Sequence, residues 1–229
     1  MLLQIPQILN QQLTDELRSA LQRIEWTPVI NKENNHNNNL NNVINFFQLP
    51  EQSIEAKYFA SQIISEVENS PLFISSSLPK KIYPPIFRKF CENQGYSTKI
   101  DNAIKQIPGM PIRVRLDLSA TIFLSDPNEY EGGELVIEDN YGTQQIKLPA
   151  SHLILYPSTS LHYLKPVKNG NRITATFHVE SMVRDDLKRT ILFDMDNSIR
   201  SMIDNENLHR EVNNFTGIYY NLLRMWSDV

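Results

Sequence analysis

From Arg113 to Ser125 the chain alternates. Val114, Leu116, Leu118, Ala120, Ile122 and Leu124 fall on one side of an extended backbone, and Arg113, Arg115, Asp117, Ser119 and Thr121 on the other. A period of two fits a pleated strand and no helix. A strand with one apolar face must lay that face on a core, so the middle of the chain is constrained to β layers. Short runs of the same kind follow at Glu134–Glu138, Gln144–Leu148, His152–Tyr156 and Arg172–Glu180. Gly132-Gly133 and Asn140–Gly142 read as turns between them, and Asn169-Gly170 as a hairpin signal. This spacing predicts a sandwich or jelly roll over residues 82–181.

Helical periods flank that segment. Residues 1–81 open with a strand-like run, Leu2–Ile8. A helix follows, with Thr14 as its N-cap and Leu13, Leu17, Leu21 and Ile24 on one face. The asparagine-rich stretch 31–45 predicts a mobile loop, with His36 a solvated histidine inside it. A second helix is expected over 51–70, after which Pro71, Pro79, Pro84 and Pro85 break up the chain. Residues 182–229 return to helix, at Asp185–Arg200 and Phe215–Trp226. The fold class is therefore mainly β with flanking helices, in three regions: 1–81, 82–181 and 182–229.

Composition narrows the function classes. The chain has 229 residues, 41% of them hydrophobic, enough for one domain with a real core. A net charge of -4 supplies no global basic field, so neither nucleic acid nor an anionic membrane is an expected partner. Cys91 is the only cysteine, which excludes an internal disulfide and suits a reducing compartment. Met1–Leu13 lacks the basic and apolar regions of a signal peptide, and no run approaches the roughly 20 apolar residues of a spanning helix. The expected location is the cytoplasm.

The chemistry lies in four residues of the β segment. Asp101 is followed about sixty residues later by His162, and then by Arg172 and His178. A mononuclear non-haem iron site takes two imidazoles and a carboxylate on one face and leaves positions open for co-substrate and oxygen. Two such ligands commonly come from one strand as His-x-Asp, since alternate residues share a face. A guanidinium some ten residues beyond the last histidine suits a dicarboxylate, because its planar fork binds carboxylate with two hydrogen bonds.

Several stretches carry a more specific likeness: Asn69–Ser75, Val114–Thr121, Asp126–Leu135, Leu155–Ser158, Ser181–Asp186 and Thr216–Leu223. In these the chain resembles the PKHD-type hydroxylases, in the prolyl-4-hydroxylase-like branch of the Fe(II)/2-oxoglutarate dioxygenases, over nearly its whole length. The resemblance implies a double-stranded β-helix, with Asp101 and His162 as iron ligands, Arg172 as the 2-oxoglutarate arginine and Tyr96 near the co-substrate. It also implies Fe(II), 2-oxoglutarate and L-ascorbate as cofactors, hydroxylation of an unidentified substrate, and leaves a homodimer open.

One position departs from the family. Its first histidine ligand aligns with Lys99. A ligand binds deprotonated, and neutralising a free lysine at pH 7 costs roughly 4–5 kcal/mol. An ammonium at 99 would instead pair with Asp101 and repel a cation. Two readings follow: a dioxygenase with Lys99 in the ligand position, or a catalytically inactive relative that binds 2-oxoglutarate or another dicarboxylate on the same scaffold. His178, at an even offset from Arg172, is a candidate substitute ligand or a hydrogen-bonded pocket histidine.

Overall fold

The computed structural model describes residues 1–34, 40–139 and 142–229. Strand β1 (Leu3–Ile5) leads into α1 (Gln11–Arg23), then β2 (Thr27–Asn34) and β3 (Leu40–Gln48). Helices α2 (Ile54–Glu68) and α3 (Pro71–Ser77) precede β4 (Pro79–Phe90), β5 (Tyr96–Lys99), β6 (Ile104–Gln106) and β7 (Arg113–Arg115). The central strands are β8 (Leu118–Phe123), β9 (Tyr130–Gly132), β10 (Leu135–Asp139), β11 (Gly142–Ile146) and β12 (Leu153–Pro157). Then come β13 (Leu161–Leu164), β14 (Val167–Gly170), β15 (Arg172–Ser181), α4 (Asp186–Met202) and α5 (His209–Trp226).

Two antiparallel sheets face one another as a jelly roll. The larger has the order β1-β12-β8-β15-β4-β3-β2, the smaller β11-β10-β13-β5. Period two divides the residues of the large sheet between two cores. Leu118, Ala120 and Ile122 of β8, Leu153 and Leu155 of β12, and Ala175, Phe177 and Val179 of β15 point outward and pack under the helices. There they meet Leu13, Leu17 and Leu21 of α1, Phe59 and Ile63 of α2, and Phe73 of α3. Each leucine, isoleucine, valine or phenylalanine among them contributes about 1.5–3 kcal/mol when fully buried. The inward positions of the same strands, Phe123, Ile154 and Tyr156, meet Leu135, Ile137 and Leu164 of the small sheet.

Several expectations are corrected. The alternating run is two strands, because Asp117 makes a corner: its carboxylate takes hydrogen bonds from Arg115 Nε at 2.8 Å and Ser181 N at 2.9 Å. β8 beyond that corner is buried on both faces, so its polar side is the inside of the jelly roll. The first helix is capped by Asn10, whose side chain accepts from Leu13 N at 2.8 Å, and Thr14 lies within it, donating to Asn10 O at 2.8 Å. Pro71 opens α3 rather than ending structure, since a helix's first position needs no N–H.

Pro84 and Pro85 sit inside β4, where the register to β15 slips between Tyr83 and Ile86. Strand β3 reaches β4 only at Lys89 and Gln48's partner Arg88, so no neighbour asks these prolines for a donor. Much of the asparagine-rich stretch is strand, with β2 and β3 paired from Thr27–Gln48 to Asn34–Leu40, while His36 lies outside the described residues. The turn at Asn140 also falls outside them. Asn169-Gly170 is no hairpin: it pairs with Glu131 and Tyr130 of β9, and β14 does not pair with β15.

Among the described residues no helix is long and apolar enough to cross a membrane. Helices α4 and α5 close the C-terminal end, with Leu192 of α4 packed near Tyr219, Leu222 and Trp226 of α5.

Candidate active site

The inner face of β15 presents Arg172, Thr174, Thr176 and His178, and the inner face of β8 presents Ser119 and Thr121. Opposite them the small sheet brings Tyr96 and Lys99 on β5 and His162 on β13. One pocket is lined by most of these, together with Arg88, Phe90, Asp101 and Tyr156. The four residues singled out for the cofactors, Tyr96, Asp101, His162 and Arg172, thus share one chamber between the sheets.

Asp101 follows β5 and turns inward. Ser119 Oγ donates to its Oδ2 at 2.7 Å and lies 2.8 Å from Ser158 Oγ, which fixes the carboxylate's orientation. His178 Nε2 is 3.3 Å from the same Oδ2. The other oxygen, Oδ1, faces His162 Nε2 at 3.7 Å and Lys99 Nζ at 4.0 Å. Burial pushes the Asp101 pKa up, but His178, Ser119 and His162 outweigh it and hold the carboxyl below its ordinary range.

His162 is 1% exposed. Its Nδ1 lies 3.0 Å from Ser160 O, and a proton donated there leaves Nε2 as a lone pair aimed at Asp101 Oδ1. Burial lowers its pKa, so the neutral ring is favoured. Tyr96 and Tyr156 wall the ring at centroid distances of 6.0 and 5.5 Å.

Arg172 closes the other end. It is 3% exposed, with its guanidinium 5.1 Å from the Phe123 ring centroid and 5.7 Å from that of Phe90. Its Nε is shut off from solvent with no hydrogen-bond partner. One of its terminal nitrogens donates to Thr174 Oγ1 at 3.5 Å; the unpaired Nε is costly to leave so, and a carboxylate satisfies it best.

These groups were tested as a metal site. Asp101 and the Nε2 of His162 are donors of the right kind and protonation state for a divalent ion. Lys99 is not: its register partner across β5–β13 is His162, and its ammonium lies over the Tyr96 ring at 4.5 Å. Burial and the Arg88 charge lower the Lys99 pKa, against the pull of Asp101. His178 addresses the opposite oxygen of Asp101 from His162. Among the described residues no group of three or more His, Cys, Asp or Glu side chains is arranged to hold a metal ion.

Residues missed in the sequence are Arg88, Ser119, Thr121, Thr174 and Thr176. The threonines of β15 were accessible, since they share parity with Arg172. Arg88 required the pairing of β4 with β15.

A family model described as the 2OG-Fe(II) oxygenase superfamily matches residues 87–180, and one for the PKHD-type hydroxylase C-terminal domain matches 186–228. A PKHD-type hydroxylase of Methylobacillus flagellatus is 42% identical over the full length of both chains. Among solved structures, HygX from Streptomyces hygroscopicus, with nickel and 2-oxoglutarate bound, superposes with a TM-score of 0.54 at 11% identity, covering 79% of this chain and 82% of that one. A Pseudomonas putida prolyl-4-hydroxylase gives 0.51 at 16% identity, covering 79% and 92%. At such identities the structural likeness speaks for the fold.

Proposed function

The chain belongs to the PKHD-type hydroxylases, a family of the 2-oxoglutarate- and Fe(II)-dependent oxygenases, and from that membership we propose that it hydroxylates a substrate yet to be identified, with Arg172 as the anchor for 2-oxoglutarate and Asp101 and His162 as the protein ligands that would hold Fe(II). One observation carries this reading. A guanidinium buried to 3% exposure, with an unpaired Nε, closes the same chamber that holds an oriented carboxylate and a neutral imidazole.

The chemistry that Fe(II) and 2-oxoglutarate supply when bound is oxidative decarboxylation coupled to hydroxylation of a C–H bond, with L-ascorbate as the accompanying reductant. The chain's own part is positional. Arg172 takes the distal carboxylate in a forked pair of hydrogen bonds. Ser119 holds Asp101 in one orientation, and the Ser160 carbonyl holds His162 in one tautomer. Tyr96, Phe90 and Tyr156 line the walls and exclude water. The cytoplasm is the compartment in which such a thiol-bearing chain would act.

A second reading is favoured by Lys99. With Nζ 4.0 Å from Asp101 Oδ1, the ammonium occupies the side of Asp101 that faces His162. The protein is then a dicarboxylate-binding relative without turnover. Titrating Mn(II) into chelator-treated protein, with and without 2-oxoglutarate, and following 2-oxoglutarate consumption under Fe(II) and air, separates the two. Saturable Mn(II) binding with turnover supports the hydroxylase. Dicarboxylate binding without metal uptake supports the relative, and loss of neither function in Arg172→Met refutes both.

A further inference from the structure

The chamber contains a cation with no assigned task. Arg88 lies on β4, two residues from Phe90, and faces inward with it. In the β4–β15 register Phe90 stands opposite Arg172 and Arg88 opposite Thr174. Arg88 and Arg172 are thus diagonal neighbours on one face of one sheet, about 7–8 Å apart at the backbone. The Arg88 guanidinium rests on the Phe46 ring at 5.4 Å, and its Nε, like that of Arg172, is shut off from solvent without a hydrogen-bond partner.

Charge sharpens the picture. The residues lining the chamber include three cations, Arg88, Lys99 and Arg172, and one carboxylate, Asp101. That carboxylate is already engaged by Lys99, His162 and His178 rather than by either guanidinium. Counting these four groups, the chamber carries two positive charges in excess.

We propose that Arg88 is a second carboxylate anchor, so that Arg88 and Arg172 grip the two ends of a five-carbon dicarboxylate such as 2-oxoglutarate without any metal. A dianion neutralises the excess charge, satisfies both orphaned Nε donors, and has carboxylates separated by three carbons, a span that matches diagonal strand neighbours. Lys99 completes the cationic end near Asp101. The inference rests on the reading of Arg172 given above, and it adds that the co-substrate's other carboxylate is held by this chain's own side chain.

The test is calorimetric titration of chelator-treated protein with 2-oxoglutarate, glutarate and the monocarboxylate 2-oxobutyrate. The wild type is expected to bind both dicarboxylates without metal and the monocarboxylate more weakly. Arg88→Met is expected to weaken both dicarboxylates by on the order of 10–100-fold, to the level of 2-oxobutyrate. Arg88→Lys keeps the charge without the fork and should fall between; it also reads out the effect should the methionine variant fold poorly. Binding that appears only with Mn(II), with Arg88→Met equal to wild type, overturns the second anchor and leaves the Arg172 reading intact. Absence of 2-oxoglutarate binding with or without Mn(II) overturns both.

Discussion

Replacing Lys99 by histidine tests the centre most directly. For a free lysine of pKa about 10.4, holding the amine neutral at pH 7 costs about 4–5 kcal/mol. Burial and Arg88 lower the Lys99 pKa, so the cost in place is smaller. The side chain is 40% exposed, and solvent screens much of its repulsion of a cation. A histidine at 99, paired across the strands with His162, is largely neutral at pH 7.5 and adds a donor two residues before Asp101. Lys99→His is therefore expected to tighten Mn(II) binding by about 10²–10³-fold, within the ceiling of 4–5 kcal/mol. Lys99→Met, which removes the charge and adds no ligand, should recover only a minor part. Anaerobic calorimetry with Mn(II) on chelator-treated protein measures both. Equal affinity for Lys99→His and wild type would refute the account of Lys99 as the obstacle.

Other outcomes follow from the same contacts. Ser119→Ala frees Asp101 Oδ2 from its 2.7 Å hydrogen bond and should weaken Mn(II) binding to Lys99→His by about 10–100-fold while leaving the melting temperature within a few degrees; unchanged affinity removes Ser119 from the positioning role. Gly170 has φ 79°, and an added Cβ would stand 2.2 Å from Glu129 O, so Gly170→Ala should cost more than 1 kcal/mol in urea unfolding, and a neutral result would contradict the close β9–β14 approach. Burial raises the Tyr96 pKa to about 12, above its unfolded value near 10. Its contribution to stability is complete below about pH 10 and is lost as pH rises toward 12. Tyr96→Phe should flatten the alkaline fall of stability between those values, and an unaltered slope would count against the assignment.

How much was legible depended on which force decided each element. The outward faces of β8, β12 and β15 were visible because hydrophobic burial acts on single side chains at period two. The corner at Asp117 was not, since the same alternation runs through Leu116 and Asp117 and only the hydrogen bonds to Arg115 and Ser181 break the strand. Asn10 and Thr14 are both good caps by residue type; what decides is which one can accept from the N–H three residues on. Pro84 and Pro85 looked like strand breakers because their tolerance depends on β3 ending its pairing at Arg88. Asp101, His162 and Arg172 stood out only jointly, within the frame of the family resemblance, whereas Arg88 reaches the chamber through strand pairing alone.

The polar interior and the rim of the chamber are tied to the fold to different degrees. Ser119, Thr121 and Thr174 are no more than 4% exposed, on strands whose other face buries Leu118, Ala120, Ile122, Ala175, Phe177 and Val179. Buried hydroxyls contribute less than methyl groups would unless they find partners, and here Ser119 is bonded to Asp101 and Ser158 and Thr174 accepts from Arg172. Lys99 stands outside that constraint. Its backbone pairing with His162 is indifferent to the side chain, and its tip lies over Tyr96 at the half-exposed rim. Position 99 can thus change with little consequence for the sheets, while Arg172, walled by Phe90 and Phe123, cannot be altered without leaving a buried void. If Arg172 is the carboxylate anchor proposed above, that end of the chamber is tied to the fold and position 99 is not, so dicarboxylate affinity is the property expected to survive substitutions at position 99.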